Sequence, residues 1–170
     1  ADLDIIVPAA LFHDIINHPK NSVKAKISSD ESADFAKNVL THINTYPQKK
    51  IEKVCFAIMS CSFAKALKVE LLEAQILQDA DGLESTGAIS IMRTFSSTGS
   101  MKRPFFHARD PFCKERQPDN LNYALDLFFT RLLVVEERMN TKAAKKIAKR
   151  RTAFLRIFLN ELRMELKEKF

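Results

Sequence analysis

Glycine is nearly missing from this chain, with three residues in 170. Tight turns and β-hairpins draw on glycine for backbone angles that other residues avoid. A hairpin-rich β fold is therefore excluded, and helices joined by short polar loops are expected. Long apolar runs are missing too. The longest stretches are interrupted well short of the ~20 residues that a bilayer-spanning helix needs, so no membrane role is expected. Cys55, Cys61 and Cys113 form an odd set without CxxC spacing, which excludes a disulfide framework and a zinc knuckle. Asp2 and Asp4 stand where a secretory leader carries cations, so no signal peptide is expected and a reducing cytoplasm is the expected location. No strand-like alternation and no internal repeat is visible.

What is present is an ordinary globular balance: 46% apolar and 28% charged residues. The length suits a single domain, residues 1–170, with a real core. The net charge of +6 is unevenly placed, because residues 138–170 carry 11 Lys/Arg against 3 Asp/Glu. That excess belongs to one basic helix and says little about the rest of the chain.

Helical periodicity runs through most of the sequence. Asp2 or Asp4 caps a first helix in which Pro8 belongs to the first turn, and Ala9-Ala10-Leu11-Phe12 lead into His13-Asp14. A stretch apolar on nearly every side reads as a buried helix, delivering His13 and Asp14 inside the protein; His18-Pro19-Lys20-Asn21 stops it. Ser28 and Glu31 have capping-box spacing for a second helix to about Thr45, with Phe35, Val39, Leu40 and Ile43 inward. A third is expected over about Gln48–Phe63, with Ile51, Val54, Cys55, Ile58 and Met59 at helical spacing. The fourth, about Glu70–Asp79, carries Leu71, Leu72, Ala74, Ile76 and Leu77 into the acidic pair; Gly82 marks a kink or restart before a helix from Leu83 to Phe95. Residues 96–120 read as a long loop. Asp119 then caps a helix carrying Leu121, Leu125, Phe128, Phe129, Leu132 and Leu133, and Thr141 caps the last one, with Ala144, Ile147, Ala148, Phe154, Leu155, Phe158, Leu162 and Leu166 inward. The fold class is all-α, a single-domain helical bundle.

The chemistry centres on Gln78-Asp79-Ala80-Asp81-Gly82-Leu83 and on His13-Asp14. Two acids at the end of an apolar segment need a partner, because an unpaired carboxylate near a core is costly. A divalent cation is the economical one. Side chains of neighbouring helical residues diverge by about 100°, so His13 and Asp14 reach one ion only if it lies off the helix end. Asp81 is the candidate to close such a site, with Asp79 as a reserve ligand or a supporting partner. Imidazole with carboxylates suits Mn, Fe, Co, Ni, Zn or Mg, without choosing among them. The competing reading makes His13 a hydrogen-bonded core residue and Asp14 a helix-end carboxylate; spacing alone leaves both open.

Pro8-Ala9-Ala10-Leu11-Phe12-His13-Asp14 followed by Gln78-Asp79-Ala80-Asp81-Gly82-Leu83-Glu84 resembles the H…HD…D pattern of HD-domain metal-dependent phosphohydrolases. Ile89-Ser90-Ile91-Met92-Arg93-Thr94-Phe95 is similar to the QDADRLDAIGAIGIARTF-type segment of small bacterial HD proteins, and Arg103-Pro104 and Met139-Asn140-Thr141 extend the resemblance. It implies an all-helical HD-type bundle in which His13, Asp14 and Asp81 bind the metal. Asp14 and Asp81 would be the catalytic carboxylates, and the reaction hydrolysis of a phosphate ester or nucleotide by metal-activated water. The family's first metal histidine lies on a helix before the HD pair, and this sequence starts too late to contain it; truncation and true loss both account for that. Asn17 stands where members often carry an acid, Cys61 where a histidine usually stands, and Gly82 and Glu84 replace an arginine and an aspartate.

For phosphate contact the candidates are Arg93, Lys65 and Arg103, cations near the expected mouth of the site; guanidinium forks match phosphate oxygens two at a time. For Arg93 the alternative is a salt bridge to Asp79 or Glu84. Asn17 and Asp79 are candidate supports behind the metal ligands. Arg151 falls beside the apolar stripe of the last helix, where it snorkels or pairs with an inner acid. His18, His42 and His107 lack matching partners; His42 reads as helix surface, while His107 in the loop could visit the site. Lys142, Lys145, Lys146, Lys149 and Arg150 lie largely opposite an apolar stripe with no interleaved aromatics, which favours a solvated face over a nucleic-acid interface. Phe105, Phe106 and Phe112 mark a candidate homo-oligomer interface. The expected function is thus a metal-dependent phosphohydrolase acting on a phosphorylated small molecule or nucleotide. The alternative is a degenerate HD domain serving as a binding or scaffold module.

Overall fold

A computed structural model describes residues 1–19, 22–62, 65 and 67–167. Six α-helices and no strand occur among these residues, as the all-α expectation required. The chain divides into two compact units, Ala1–Asp81 and Gly82–Phe170.

The first unit begins with α1 (Leu3–Phe12), whose N-cap Asp2 accepts a bond from the Asp4 amide. Pro8 lies inside this helix rather than in its first turn. A mid-helix proline strips the carbonyl four residues earlier of its donor. That carbonyl belongs to Asp4, and the Tyr46 hydroxyl donates to it at 2.5 Å, which is why the helix runs on. Neither is α1 buried all round, since Leu3, Val7 and Leu11 are exposed and only Ile5 and Ala9 are buried.

A 3-10 turn (Val23–Ile27) feeds α2 (Ser28–Thr41), and the expected capping box does not form. The Ser28 hydroxyl accepts from the His18 amide, and the Glu31 carboxylate meets His18 Nε2 at 2.5 Å. His18, expected to have no partner, therefore has one. The core face of α2 carries Ser32, Ala33, Ala36 and Leu40, while Phe35 and Ile43 are exposed. Small side chains win that face because α2 packs closely on α3 (Ile51–Cys61), which also packs on α1. Val54, Ala57 and Ile58 of α3 are fully buried. Phe63, the expected end of this helix, and Lys20-Asn21, expected to stop the first, lie outside the described residues. Next comes α4 (Leu72–Leu83), starting later than expected and continuing through Gly82.

In the second unit α5 (Gly87–Met101) follows N-cap Thr86, so the restart falls at Gly87 and not at Gly82. Gly87 has φ +71°, and a Cβ there would meet the Arg151 stem at 3.1 Å. The helix runs past Phe95 into the expected loop. From Lys102 the backbone turns at φ 52° and loses its period. Asp110 accepts from the amides of Lys114, Glu115 and Arg116. Asp126, fully buried, accepts from the Arg116 guanidinium through both carboxylate oxygens and from the Asp119 amide at 2.6 Å. Asp119 caps only a turn, through the Leu121 and Asn122 amides, because the chain proceeds to a π segment (Phe128–Leu132) and a 3-10 turn (Val135–Arg138). Thr141 does cap α6 (Lys142–Glu165), its hydroxyl accepting from the Ala144 amide. Phe106 and Phe112, offered above as interface aromatics, pack against this unit's core of Leu125, Phe128, Leu132, Leu155 and Leu159.

Candidate metal and phosphate site

Helix α1 ends at Phe12 because His13 takes the C-cap position, its amide donating to the Ala9 carbonyl. The ring follows the same local logic. Nδ1 lies 2.8 Å from the Ala10 carbonyl, which accepts only, so Nδ1 carries the proton in the neutral ring. Nε2 then keeps its lone pair, 3.7 Å from Asp14 Oδ2. A histidine anchored by one nitrogen to a backbone carbonyl is the usual preparation for ligation through the other. The two side chains are not inside the protein as expected: His13 is 27% and Asp14 70% exposed. A helix that stops at Phe12 releases Asp14 to water.

Within the same unit Cys61 closes α3, its thiol buried and 3.9 Å from the Leu77 carbonyl of α4. Burial first, and then the carboxylates of Asp81 and Asp14, push this thiol up to about 12. Each of the two acids therefore lies within electrostatic reach of this one buried thiol. Gln78 ties the helices here, its amide donating to the Ser60 carbonyl at 2.7 Å and the Leu67 carbonyl at 3.0 Å. Asp79 is buried and Asn17 exposed. The donor chemistry of His13, Asp14 and Asp81 suits a divalent cation. Their positions stop short of a closed set, since among the described residues no three His, Cys, Asp or Glu side chains form a group that could hold a metal.

Each cation suggested for phosphate has a protein partner. Lys65, in the first unit, bonds Asp30 at 2.7 Å. In the second unit Arg93 pairs with Glu84 on an exposed surface, the alternative foreseen for it. Arg103 donates to the Asn120 carbonyl and, at 3.2 Å, to the Thr98 hydroxyl, pinning the loop. Arg151 donates to the Leu83 carbonyl at 3.1 Å rather than to an inner acid. His107 accepts from the Asp110 amide and sits edge-on to Tyr123. His42 is exposed and bonds the Asn38 carbonyl.

Two features escaped the sequence reading. Cys61 is the buried group that senses both acids, and the only signal was its standing where a histidine is usual. Gly82, where an arginine was the family pattern, leaves a space filled by Met139, whose Cε would lie 2.6 Å from an added Cβ. No spacing between positions 82 and 139 announces that contact.

No family model matches the chain. It is 25% identical over 98% of its length to an uncharacterized protein of Bacillus subtilis, YpgQ, of which it spans 74%. Solved structures give the same answer in three dimensions. Bacillus subtilis YpgQ in complex with ADP superposes with a TM-score of 0.68 at 27% identity, covering 97% of this chain and 75% of that one. An HD-superfamily hydrolase from Bacillus thuringiensis gives 0.65 at 27% identity, covering 97% and 74%. The Lin1889 protein of Listeria innocua gives 0.64 at 28% identity, covering 99% and 89%. The fold thus resembles that of an HD-superfamily hydrolase across nearly the whole chain.

Proposed function

We propose that this protein is a metal-dependent phosphohydrolase of the HD type, acting on a nucleotide or another phosphate ester. The observation that carries the reading is His13, held by Ala10 through Nδ1 with Nε2 left 3.7 Å from an Asp14 carboxylate oxygen. The likeness to an HD-superfamily hydrolase supports the reaction class, and the ADP bound by YpgQ supports a nucleotide as substrate. His13, Asp14 and Asp81 are the proposed metal ligands, Asp14 and Asp81 the proposed catalytic carboxylates. When bound, a divalent cation would acidify a water molecule and neutralise charge on a phosphoryl oxygen. The chain's own contribution is to orient the imidazole, to keep Asp14 open to solvent for substrate entry, and to hold Cys61 as a neutral thiol beside the acids. Asp79, buried, and Asn17 are proposed to support the ligands. Lys65, Arg93 and Arg103 are the proposed phosphate contacts, each exchanging a present partner for phosphate oxygens. The proposed setting is the cytoplasm.

Release of inorganic phosphate or pyrophosphate from a panel of nucleotides, with Mn, Co, Ni or Mg, tests the reading. Turnover that needs the metal and falls at least 100-fold in Asp81→Asn is expected. No turnover with any metal, or full activity in Asp81→Asn, refutes it. A second reading draws on the unclosed ligand group: a degenerate domain that binds nucleotide without cleaving it. Saturable ADP binding with no turnover in the same assay would favour that reading.

A further inference from the structure

Helix α6 has two apolar faces. One carries Ala144, Ala148, Thr152, Leu155 and Leu159 and is buried in its own unit. The other stays in solvent: Ile147, Phe154, Ile157 and Met164 are 36%, 45%, 65% and 54% exposed. Arg150 and Glu161 complete this second face, and the six residues follow one another at alternating steps of three and four. That is the a/d seam of a coiled coil, confined at about 100° per residue to roughly a third of the helix circumference. A solvated basic face would not need it.

We propose that a second copy of this chain docks on this seam, its α6 antiparallel to the first, forming a twofold homodimer. Turned about a point between Leu155 and Arg156, the seam is complementary to itself. Phe154 meets the second copy's Ile157, Ile147 meets its Met164, and Arg150 meets its Glu161, each contact occurring twice. Lys146 and Glu165, on the flanks, pair by the same operation. Parallel docking would set Arg150 on Arg150 and Glu161 on Glu161, and that repulsion selects the antiparallel form. Within the chain neither Arg150 nor Glu161 forms an ion pair among the described residues. A cavity of about 450 Å³ at the start of α5 shares Arg150 and Phe154 with the seam and gives the second copy's Ile157 and Glu161 room to enter.

Sedimentation of the whole chain from about 1 to about 100 µM, the range of modest affinities, tests this, with circular dichroism to confirm retained helix. The wild type should dimerise as concentration rises. Ile157→Asp, R150E alone and E161R alone should each stay monomeric, with helicity unchanged because these side chains are exposed. R150E mixed with E161R should dimerise again, because every pair then has opposite charges. A monomeric wild type at the top of the range overturns the proposal, as does an undiminished R150E dimer or a mixture that fails to associate.

Discussion

The two units solve the burial of polar atoms in opposite ways. In Ala1–Asp81 the core between α2 and α3 is lined by Ser32, Ala33, Ala36, Val54, Ala57 and Ile58, and helices approach closely with little side-chain bulk between them. Charged groups gather at the start of α1: Lys50 bridges Asp2 and Asp4 at 2.7 Å each, and Glu73 accepts from the Asp2 amide. In Gly82–Phe170 the core is aromatic, with Phe128 stacked on Phe158 at 5.7 Å and Phe95 set against both. An aperiodic stretch is ordered there by one buried carboxylate, Asp126. Close-packed helices leave their ends free to carry exposed side chains such as Asp14, whereas a loop without period needs charge at its centre to hold one shape.

Substitutions can break that contrast, beginning where the effect is greatest. Phe128→Ala should cost about 3–5 kcal/mol in chemical denaturation, because a fully buried ring leaves a cavity among other rings. Asp126→Ala should cost about 3 kcal/mol, since it strands the Arg116 guanidinium and the Asp119 amide together. Gly87→Ala should cost about 1–2 kcal/mol from its positive φ and the nearby Arg151 stem. Acid sharpens the comparison further. Burial raises the Asp126 carboxyl, but the Arg116 guanidinium and the Asp119 amide outweigh it and leave the group below its ordinary value. Asp110 is lowered as well, by the Glu115 and Lys114 amides. Carboxyls lowered in the folded chain contribute their stabilisation above about pH 4 and lose it as the pH falls through the folded values. Aromatic ultraviolet dichroism, sensitive to the Phe cluster, should therefore fade with acid earlier in Asp126→Asn than in the wild type.

Much of the fold was legible because helices announce themselves by period. The Thr141 cap, the inward Val54 and Ile58, and Ala144, Ala148 and Leu155 follow directly from spacing, whereas Ile147, Phe154 and Leu166, expected inward on the last helix, are exposed because its buried face is narrower than its apolar content. The misses have local causes. Pro8 fits only a first turn by local rules, since nothing near it in sequence announces that Tyr46 satisfies the Asp4 carbonyl. Hydrophobicity alone points Phe35 and Ile43 inward, yet both are exposed because the close approach of α3 favours alanine and serine on that face. Asp126 and Arg116 lie in a stretch with no period to mark either as buried. At the candidate site the residues were legible as types, but the exposure of Asp14 was not, because it depends on where α1 stops. The surroundings of Cys61 were illegible too, since they arise from segments far apart in the chain.

Metal uptake tests the central claim most directly. Calorimetric titration of the purified chain with Mn or Co should register a bound ion whose affinity falls 10–100-fold or more in His13→Ala and Asp81→Asn, with helicity preserved. Absence of uptake by the wild type, or equal affinity in Asp81→Asn, would contradict it.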